Sequence, residues 1–577
     1  PTQGRCRAPS GAYVTLAFLA TLATSTSFPR LRRTRAWLTA GLSAVVLGLA
    51  GCGNLPAQAP HEPTHALASN TGLPLAALVD ASRPKDDKRP SLSGFRLLGS
   101  SEAAYGSRMA LIDAATKTLD LQYYTIHYDS STEALMERLR EAARRGVRVR
   151  LLLDDFNAVG KNVAVLRLDL EPGIEVRMFN PVSGPRSSQA GRILGSLFDF
   201  KRIQQRMHNK ILVADNTLAV AGGRNLGDAY FGQSDTSNFL DLDLLVAGPM
   251  VTDLSHSFDA YWNDIRAYPV RNVLSGNDLK AFYADPAPAP PAASSAGTQT
   301  RVASAPVDAA DTTPAAPAVV EGHPVPGATA MAREIQSGTL ALAWAPSALL
   351  VDKPTKIAPE NPLDESDRDD NVVDGVLNIV TRAQKEVLII SPYFVPGPRM
   401  MEVFTTLRQR GVRVRVLTNS LASNDAPLAH VGYARYRQPL LEAGVELFEM
   451  RAEGKTQQRF FGSTPDSRAS LHTKALVIDS RLLVVGSMNL DLRSQLQNTE
   501  LGMVIRSRKL SAAMEAAIDQ SLDDSYELSL QDGQLRWTTP SETPGQPGEV
   551  LSSEPDARMG LKILLKLAGP FAPEEML

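Results

Sequence analysis

Two stretches of this chain carry the same chemically competent side chains in the same order. His208, Lys210, Asp215 and Asn225 recur as His472, Lys474, Asp479 and Asn489, with every internal spacing kept. As a pattern each stretch reads H-x-K, four residues, D, six residues, G-[GS]-x-N. In an extended segment, His and Lys at i and i+2 point to one face. The residues after Lys are apolar in both copies, Ile211 to Ala214 and Ala475 to Ile478, as a buried strand requires. The glycines allow close backbone approach at the next strand's end, where Asn225 and Asn489 can donate to an oxygen.

This set suits a phosphodiester. More negative charge gathers on its oxygens during displacement, and two Lys with two Asn stabilise that state by fixed electrostatics. One imidazole, unprotonated, attacks phosphorus and holds a covalent phospho-histidine. The other protonates the departing alcohol and then serves as base for the incoming one. Residue types alone do not say which histidine does which. Two His with carboxylates could also hold a metal. Lys at i+2 of each His opposes that, because an ammonium repels a cation and cannot ligate until deprotonated. A lone His-x-Lys would carry little weight; the whole pattern, repeated inside repeated surroundings, removes coincidence. The expectation is one site with no metal and no cofactor.

The surroundings do repeat. In the first copy the spacing of apolar residues predicts a helix over 101–115, a strand over 118–125, a helix over 131–145 stopped by Gly146, and a strand over 147–153. In the second it predicts a helix over 372–383, a strand over 386–392, a helix over 400–410 stopped by Gly411, and a strand over 412–418. Arg-Gly-Val-Arg-Val-Arg starts at both Arg145 and Arg410. Gly146 and Gly411 lie 265 positions apart, and His208 and His472 lie 264 apart. A whole βαβ-rich lobe is therefore duplicated, and the fold class is α/β: two similar lobes, each a mixed central sheet flanked by helices, related by a pseudo-two-fold axis.

At 577 residues the chain exceeds a single core. With 60 Lys plus Arg against 62 Asp plus Glu the net charge is −2, which gives no broad basic surface, so no nucleic acid is expected as a partner. The two cysteines, Cys6 and Cys52, leave the globular part without disulfide or thiolate metal site. Arg30, Arg32, Arg33 and Arg35 precede an apolar run from Trp37 to Ala50, the order of a secretory signal. That run falls short of the ~20 residues that cross a bilayer comfortably. The expected organisation is a leader over 1–52, a tether over 53–93, a first lobe over 94–284 and a Pro/Ala-rich linker over 285–330. A second lobe over 331–535 and a tail over 536–577 follow. In the tail, 559–568 is apolar with Lys562 and Lys566 four apart, as on one helix face; it would lie in a membrane interface or pack on its own lobe.

Through both H-x-K-x4-D-x6-G-[GS]-x-N motifs the chain resembles the phospholipase D superfamily over about residues 95–535. The resemblance implies that the motifs meet between the lobes to form one metal-independent site, with His208, Lys210 and Asn225 facing His472, Lys474 and Asn489. It implies His208 as nucleophile and His472 as acid and base, with Asp215 and Asp479 completing the catalytic motifs as supports. It also implies a later carboxylate in each lobe that orients a histidine: Asp241 in the first lobe, with Asp243 as the alternative, for the first histidine, and Glu500 in the second.

Asp120-Leu121-Gln122-Tyr123-Tyr124, the stretch Gly222 to Phe231, and His430 to Arg437 further resemble the C-type bacterial cardiolipin synthases. That implies phosphatidylglycerol and phosphatidylethanolamine as phospholipid substrates, transfer of a phosphatidyl group onto a second phospholipid's headgroup hydroxyl, a membrane surface as partner, and room for an accessory protein. His430, Tyr433, Arg435 and Arg437 would touch headgroups, or else form a helix face packed on its lobe. Leu49-Ala50-Gly51-Cys52 resembles a lipobox, which implies a lipoprotein anchored through Cys52 on the periplasmic side, on either membrane; a plain N-terminal anchor is the alternative. Hydrolysis to phosphatidic acid, a nuclease, and a non-catalytic lipid-binding lipoprotein are the competing readings.

Overall fold

The computed structural model describes residues 62–85, 89–155, 163–182, 200–274, 276–284, 328–357, 371–453, 468–541 and 546–568. Cys52, the leader and most of the Pro/Ala-rich linker lie outside these residues. Among the described residues, no helix is long and apolar enough to cross a membrane.

Two large mixed sheets organise residues 62–568. The first runs, in spatial order, Ala343–Ala345, Ser93–Leu98, Asp243–Ala247, Leu218–Gly222, Ile211–Ala214, Thr118–Tyr123, Arg148–Asp154, Ile174–Phe179 and Ala267–Pro269. The second runs Ser347–Val351, Leu501–Arg506, Leu482–Gly486, Ala475–Ile478, Glu386–Ile390, Arg413–Asn419, Glu446–Met450, Tyr526–Gln531, Gln534–Thr538 and Val550–Leu551. The duplication is visible in the pairing: Thr118–Tyr123 is parallel to Arg148–Asp154 and antiparallel to Ile211–Ala214. Glu386–Ile390 is likewise parallel to Arg413–Asn419 and antiparallel to Ala475–Ile478.

The strands after the two H-x-K segments are apolar on both faces because both faces are covered. Leu212 and Ala214 point into the first lobe's own core, and Leu476 and Ile478 into the second lobe's. Ile211 and Val213 point the other way, into a core shared with Ala475 and Val477 from the opposite lobe. With a side-chain period of two, one apolar run thus builds its lobe and seals it against the other.

The expected helices and strands are present within a few residues of their predicted bounds, for example Ser101–Ala114, Ser130–Arg144, Val372–Val380 and Gly397–Gln409. Asp129 caps Ser130–Arg144 by accepting from the Thr132 N–H, while the Thr132 hydroxyl answers the Asp129 N–H, a reciprocal pair that fixes the helix start.

Three expected boundaries move. Helix Pro74–Ser82, inside the segment read as a tether, buries Leu75, Leu78 and Val79 in the first lobe's core. Thr64, further upstream, accepts from the Trp262 indole at 2.8 Å. Helix Ala328–Ser337 and strand Ala343–Ala345, read as the start of the second lobe, complete the first: the strand pairs with Ser93–Leu98, and Arg96 binds Glu334 at 2.8 Å. The lobes change over at Pro346, between that strand and Ser347–Val351. A proline cannot donate to a ladder, so the chain leaves one sheet there and enters the other. Patterning along the chain carries no information on which of two similar lobes these pieces would cover.

The tail is the third. Trp537 is buried in the second lobe's core, and Gln534–Thr538 and Val550–Leu551 extend its sheet. Helix Met559–Ala568 buries Leu565 against Leu421 and Val431, so it packs on its lobe. The clasp is ionic. Glu554 accepts from Arg437 and meets His430 Nε2 at 3.1 Å, while Arg437 Nε donates to Glu449 at 2.8 Å. Burial raises the Glu554 pKa, but His430 and Arg437 outweigh it and bring the group down to about 2 from 4.5. A carboxylate with a depressed folded pKa contributes stability that is full above its unfolded value and disappears as pH falls through the folded one. Glu554→Gln should therefore cost up to roughly 3 kcal/mol at neutral pH. In chemical denaturation at stepped pH, the gap from wild type should begin to narrow below about 4.5 and close near 2.

Candidate active site

Residues 206–208 and 499 form one bridge between the lobes. The His208 N–H donates to the Thr499 carbonyl and the Thr499 N–H to the Arg206 carbonyl, both at 2.9 Å. On the other side Ser237–Leu240 of the first lobe pairs in parallel with Arg468–Leu471 of the second, and the His472 N–H donates to Leu240 at 2.8 Å. Each histidine is thereby fastened to the segment just before the other lobe's carboxylate.

The consequence corrects the sequence expectation: the carboxylates are exchanged. His208 Nδ1 meets both oxygens of Glu500 at 2.9 Å, and His472 Nδ1 meets Asp241 Oδ2 at 2.5 Å. Neither carboxylate serves the histidine of its own lobe. Register also resolves Asp241 from Asp243. Gly222 pairs with Asp243 as Gly486 pairs with Gly502, so Asp241 and Glu500 occupy equivalent places two residues earlier. Asp243 lies at the start of its strand, bound to Arg108 at 3.0 Å and near Arg224. Gly223 has to be glycine here, since a Cβ would stand 2.3 Å from Asp241 Oδ1. Its counterpart Ser487 donates to Glu500 Oε2 at 2.5 Å, joined by Ser494 at 2.9 Å on Oε1. Ser494 carried no sequence signal beyond its place in the helix that Asp491 caps.

Both rings are buried, His208 at 6% and His472 at 5% exposure. Tyr124 lies edge-on to His208 with centroids 5.0 Å apart; Tyr230 and Phe239 flank His472 at 5.5 and 5.2 Å. Sequence reasoning assigned these aromatic walls no role. Lys210 Nζ donates to the His208 carbonyl at 2.6 Å and Lys474 Nζ to the His472 carbonyl at 2.5 Å. Burial first, then Lys210 and Lys474, holds the His208 imidazole well below its ordinary pKa. Burial and Lys474 also lower His472, against the opposing pull of Asp241. Burial likewise lowers both lysines and raises Glu500. Asp241 is depressed although burial pushes it up, because His472 and Lys474 prevail. Both imidazoles are thus held below their ordinary value; they differ in that Asp241 works for a proton on His472, whereas Lys210 and Lys474 work against one on His208.

Asp215 and Asp479 stand at the far ends of the same strands from the histidines. Asp215 accepts from the Thr116, Lys117 and Thr118 N–H groups at 2.7–2.9 Å. Asp479 does the same for Gln384, Lys385 and Glu386 at 2.7–3.1 Å. Both are tie-points for the neighbouring strand and sit in the left-handed region, φ 52° and 53°. Asn225 Nδ2 is committed to the Tyr230 hydroxyl at 3.0 Å, whereas Asn489 Oδ1 is buried without a partner. His430 and Tyr433 are each 2% exposed inside the Glu554–Arg437 clasp, away from solvent, so the packed-helix alternative describes them and the headgroup reading does not. Arg435 of the same stretch is exposed.

Fold and site together define an enzyme that joins two duplicated lobes into one histidine-pair centre for phosphodiester transfer. Residues 109–262 and 376–522 match the family model described as cardiolipin synthase, phospholipase D-like domain. The chain is 34% identical to cardiolipin synthase C of Escherichia coli (strain K12) over 87% of its own length and 99% of that protein. It is 25% identical to a cardiolipin synthase of Geobacillus kaustophilus (strain HTA426), covering 70% of this chain and 61% of that one. The crystal structure of phosphatidylserine synthase from Haemophilus influenzae Rd KW20 shares the fold, with a TM-score of 0.51 at 15% identity over 85% of this chain and 98% of that one. The chain belongs to the cardiolipin synthase family of phospholipase D-like enzymes and is a phosphatidyltransferase of that type.

If the carboxylates act across the lobes, Glu500→Gln and Asp241→Asn should each lower kcat by about 10²- to 10⁴-fold with little change in KM. In ¹⁵N-histidine NMR, Glu500→Gln should move the ring signals of His208 and Asp241→Asn those of His472. The opposite pairing would show that each lobe orients its own histidine.

Proposed function

We propose that this enzyme makes cardiolipin by moving a phosphatidyl group from phosphatidylglycerol to a headgroup hydroxyl of a second phospholipid. The observation that carries this is the pair of buried imidazoles, each with Nδ1 bound to a carboxylate and Nε2 thereby left as the reactive nitrogen. His208, held neutral by burial and two lysines, is the nucleophile: its Nε2 bonds to phosphorus as the bond to glycerol breaks. His472, with the ionised Asp241 behind it, gives its proton to the departing glycerol oxygen. It then takes a proton from the incoming hydroxyl as that oxygen displaces His208. Lys210 and Lys474, each bound to the carbonyl of the histidine two residues before it, and Asn489 offset the charge that gathers on the phosphoryl oxygens. The low exposure and aromatic walls of the site favour a lipid hydroxyl over water as acceptor.

Purified enzyme supplied with labelled phosphatidylglycerol, with and without phosphatidylethanolamine, is expected to yield cardiolipin by mass spectrometry, with chelator making no difference. Phosphatidic acid as the sole product would replace the synthase reading with hydrolysis. His208→Ala and His472→Ala should each remove turnover, and full activity in either would end the shared-site mechanism.

The enzyme's place at the membrane rests on Cys52, which we assign as a lipidated residue of a periplasmic lipoprotein; several acyl chains on one residue give stable attachment. Cells fed radiolabelled palmitate should incorporate it into the wild type and not into Cys52→Ala. No incorporation into the wild type would leave an uncleaved N-terminal anchor.

A further inference from the structure

Helix Met559–Ala568 carries apolar residues on two opposite sides. Leu565 is buried against Leu421 and Val431 with Leu561 packed beside it, so that side closes on the lobe. Met559 and Ile563, also four residues apart, fall about 200° round the helix from that pair. They stand 70% and 54% exposed. On the neighbouring helix Pro427–Ala434, Leu428 lies one turn before the packed Val431 and is 57% exposed. A helix with apolar residues all round is ordinarily covered on every side. Here three large apolar side chains face water on two helices that pack together.

The same segment leads to the histidine pair. Leu421, under the tail helix, belongs to loop 419–426, where the Asn419 side chain brackets Leu471, accepting from its N–H and donating to its carbonyl, both at 2.9 Å. His472 follows directly. Asp425 of this loop is exposed, accepts from the Tyr393 hydroxyl at 2.9 Å, and acts electrostatically on His472 and Lys474; Leu428 comes three residues later. The apolar face has a basic fringe. Arg558 is exposed, and Lys562 donates to the Glu554 backbone carbonyl rather than to a carboxylate. The Glu554 carboxylate is already matched by Arg437. A second copy of the chain does not suit so small a face, since a stable interface buries about 1,200–2,000 Å². A bilayer does: the apolar side chains reach the acyl boundary while the cations meet anionic headgroups.

We infer that Met559, Ile563 and Leu428, fringed by Arg558 and Lys562, form a face that docks on an anionic phospholipid bilayer and turns the His472 side of the site toward the lipid surface. This rests on the reading above that both substrates are bilayer phospholipids. The lipid anchor assigned to Cys52 keeps the enzyme near the membrane but does not orient it. The docking face supplies the orientation, so that a headgroup enters the site while its acyl chains stay in the bilayer.

The test uses the full-length enzyme in phosphatidylcholine vesicles with or without phosphatidylglycerol. Met559→Cys, Ile563→Cys and Leu428→Cys each carry a polarity-sensitive fluorophore, as does Ile265→Cys, a control at a position 70% exposed on the first lobe. Signal from the parent enzyme is subtracted, and the quencher is a nitroxide on the lipid acyl chain. The three face positions are expected to shift to the blue and be quenched about twofold or more with phosphatidylglycerol, less without it, and Ile265→Cys not at all. Met559→Glu combined with Ile563→Glu should raise KM for phosphatidylglycerol in vesicles about tenfold and leave turnover of monomeric short-chain phosphatidylglycerol unchanged. No quenching at 559 and 563, equal quenching at 265, or an equal loss on monomers and vesicles overturns the docking face; transfer product formed in the same vesicles leaves the transferase reading standing. Labels that insert while phosphatidic acid is the sole product support the docking face and overturn the transfer reading.

Discussion

Each imidazole of the buried pair is held by a carboxylate that its own lobe does not supply. Glu500 reaches His208 and Asp241 reaches His472 because short backbone pairings cross the seam immediately before them. Two buried carboxylates, two buried imidazoles and two buried lysines would be costly to desolvate singly. Brought together they compensate one another, and the compensation exists only when the lobes are joined. The apolar core shared by Ile211, Val213, Ala475 and Val477 then supplies cohesion that the polar groups do not.

The duplication is close in backbone and loose in chemistry. Gly223 and Ser487 occupy matching places, one leaving room for Asp241 and the other donating to Glu500. Asp243 stands where the second lobe has Gly502, and it anchors Arg108 inside the first lobe. The wall near His472 carries Tyr230 and Phe239, while His208 has Tyr124. A symmetric scaffold thus holds an asymmetric centre, which a two-step transfer needs: one imidazole must bond to phosphorus while the other moves a proton.

The lobes are also closed by elements distant in sequence. Helix Ala328–Ser337 and strand Ala343–Ala345 return across the linker to complete the first sheet, and the 546–568 segment clasps the second lobe through Glu554. His430 and Tyr433 are buried in that clasp, which accounts for the polar face of their helix.

The sequence by itself determined the chemistry and the architecture. Repetition of His, Lys, Asp and Asn at one spacing, inside repeated strand and helix periods, is a property of order along the chain. It specified two α/β lobes and a phosphodiester centre between them. Order along the chain does not encode which strand lies beside which across a seam. Only the tertiary structure decided that Glu500 serves His208 and Asp241 serves His472, that Asp241 and not Asp243 does so, and that residues 328–345 belong to the first lobe. Only it could show that His430 and Tyr433 are buried while Arg435 is exposed. The physical reason is the same each time: hydrogen bonds and burial between segments up to 292 residues apart fix these choices, and local propensity is blind to both.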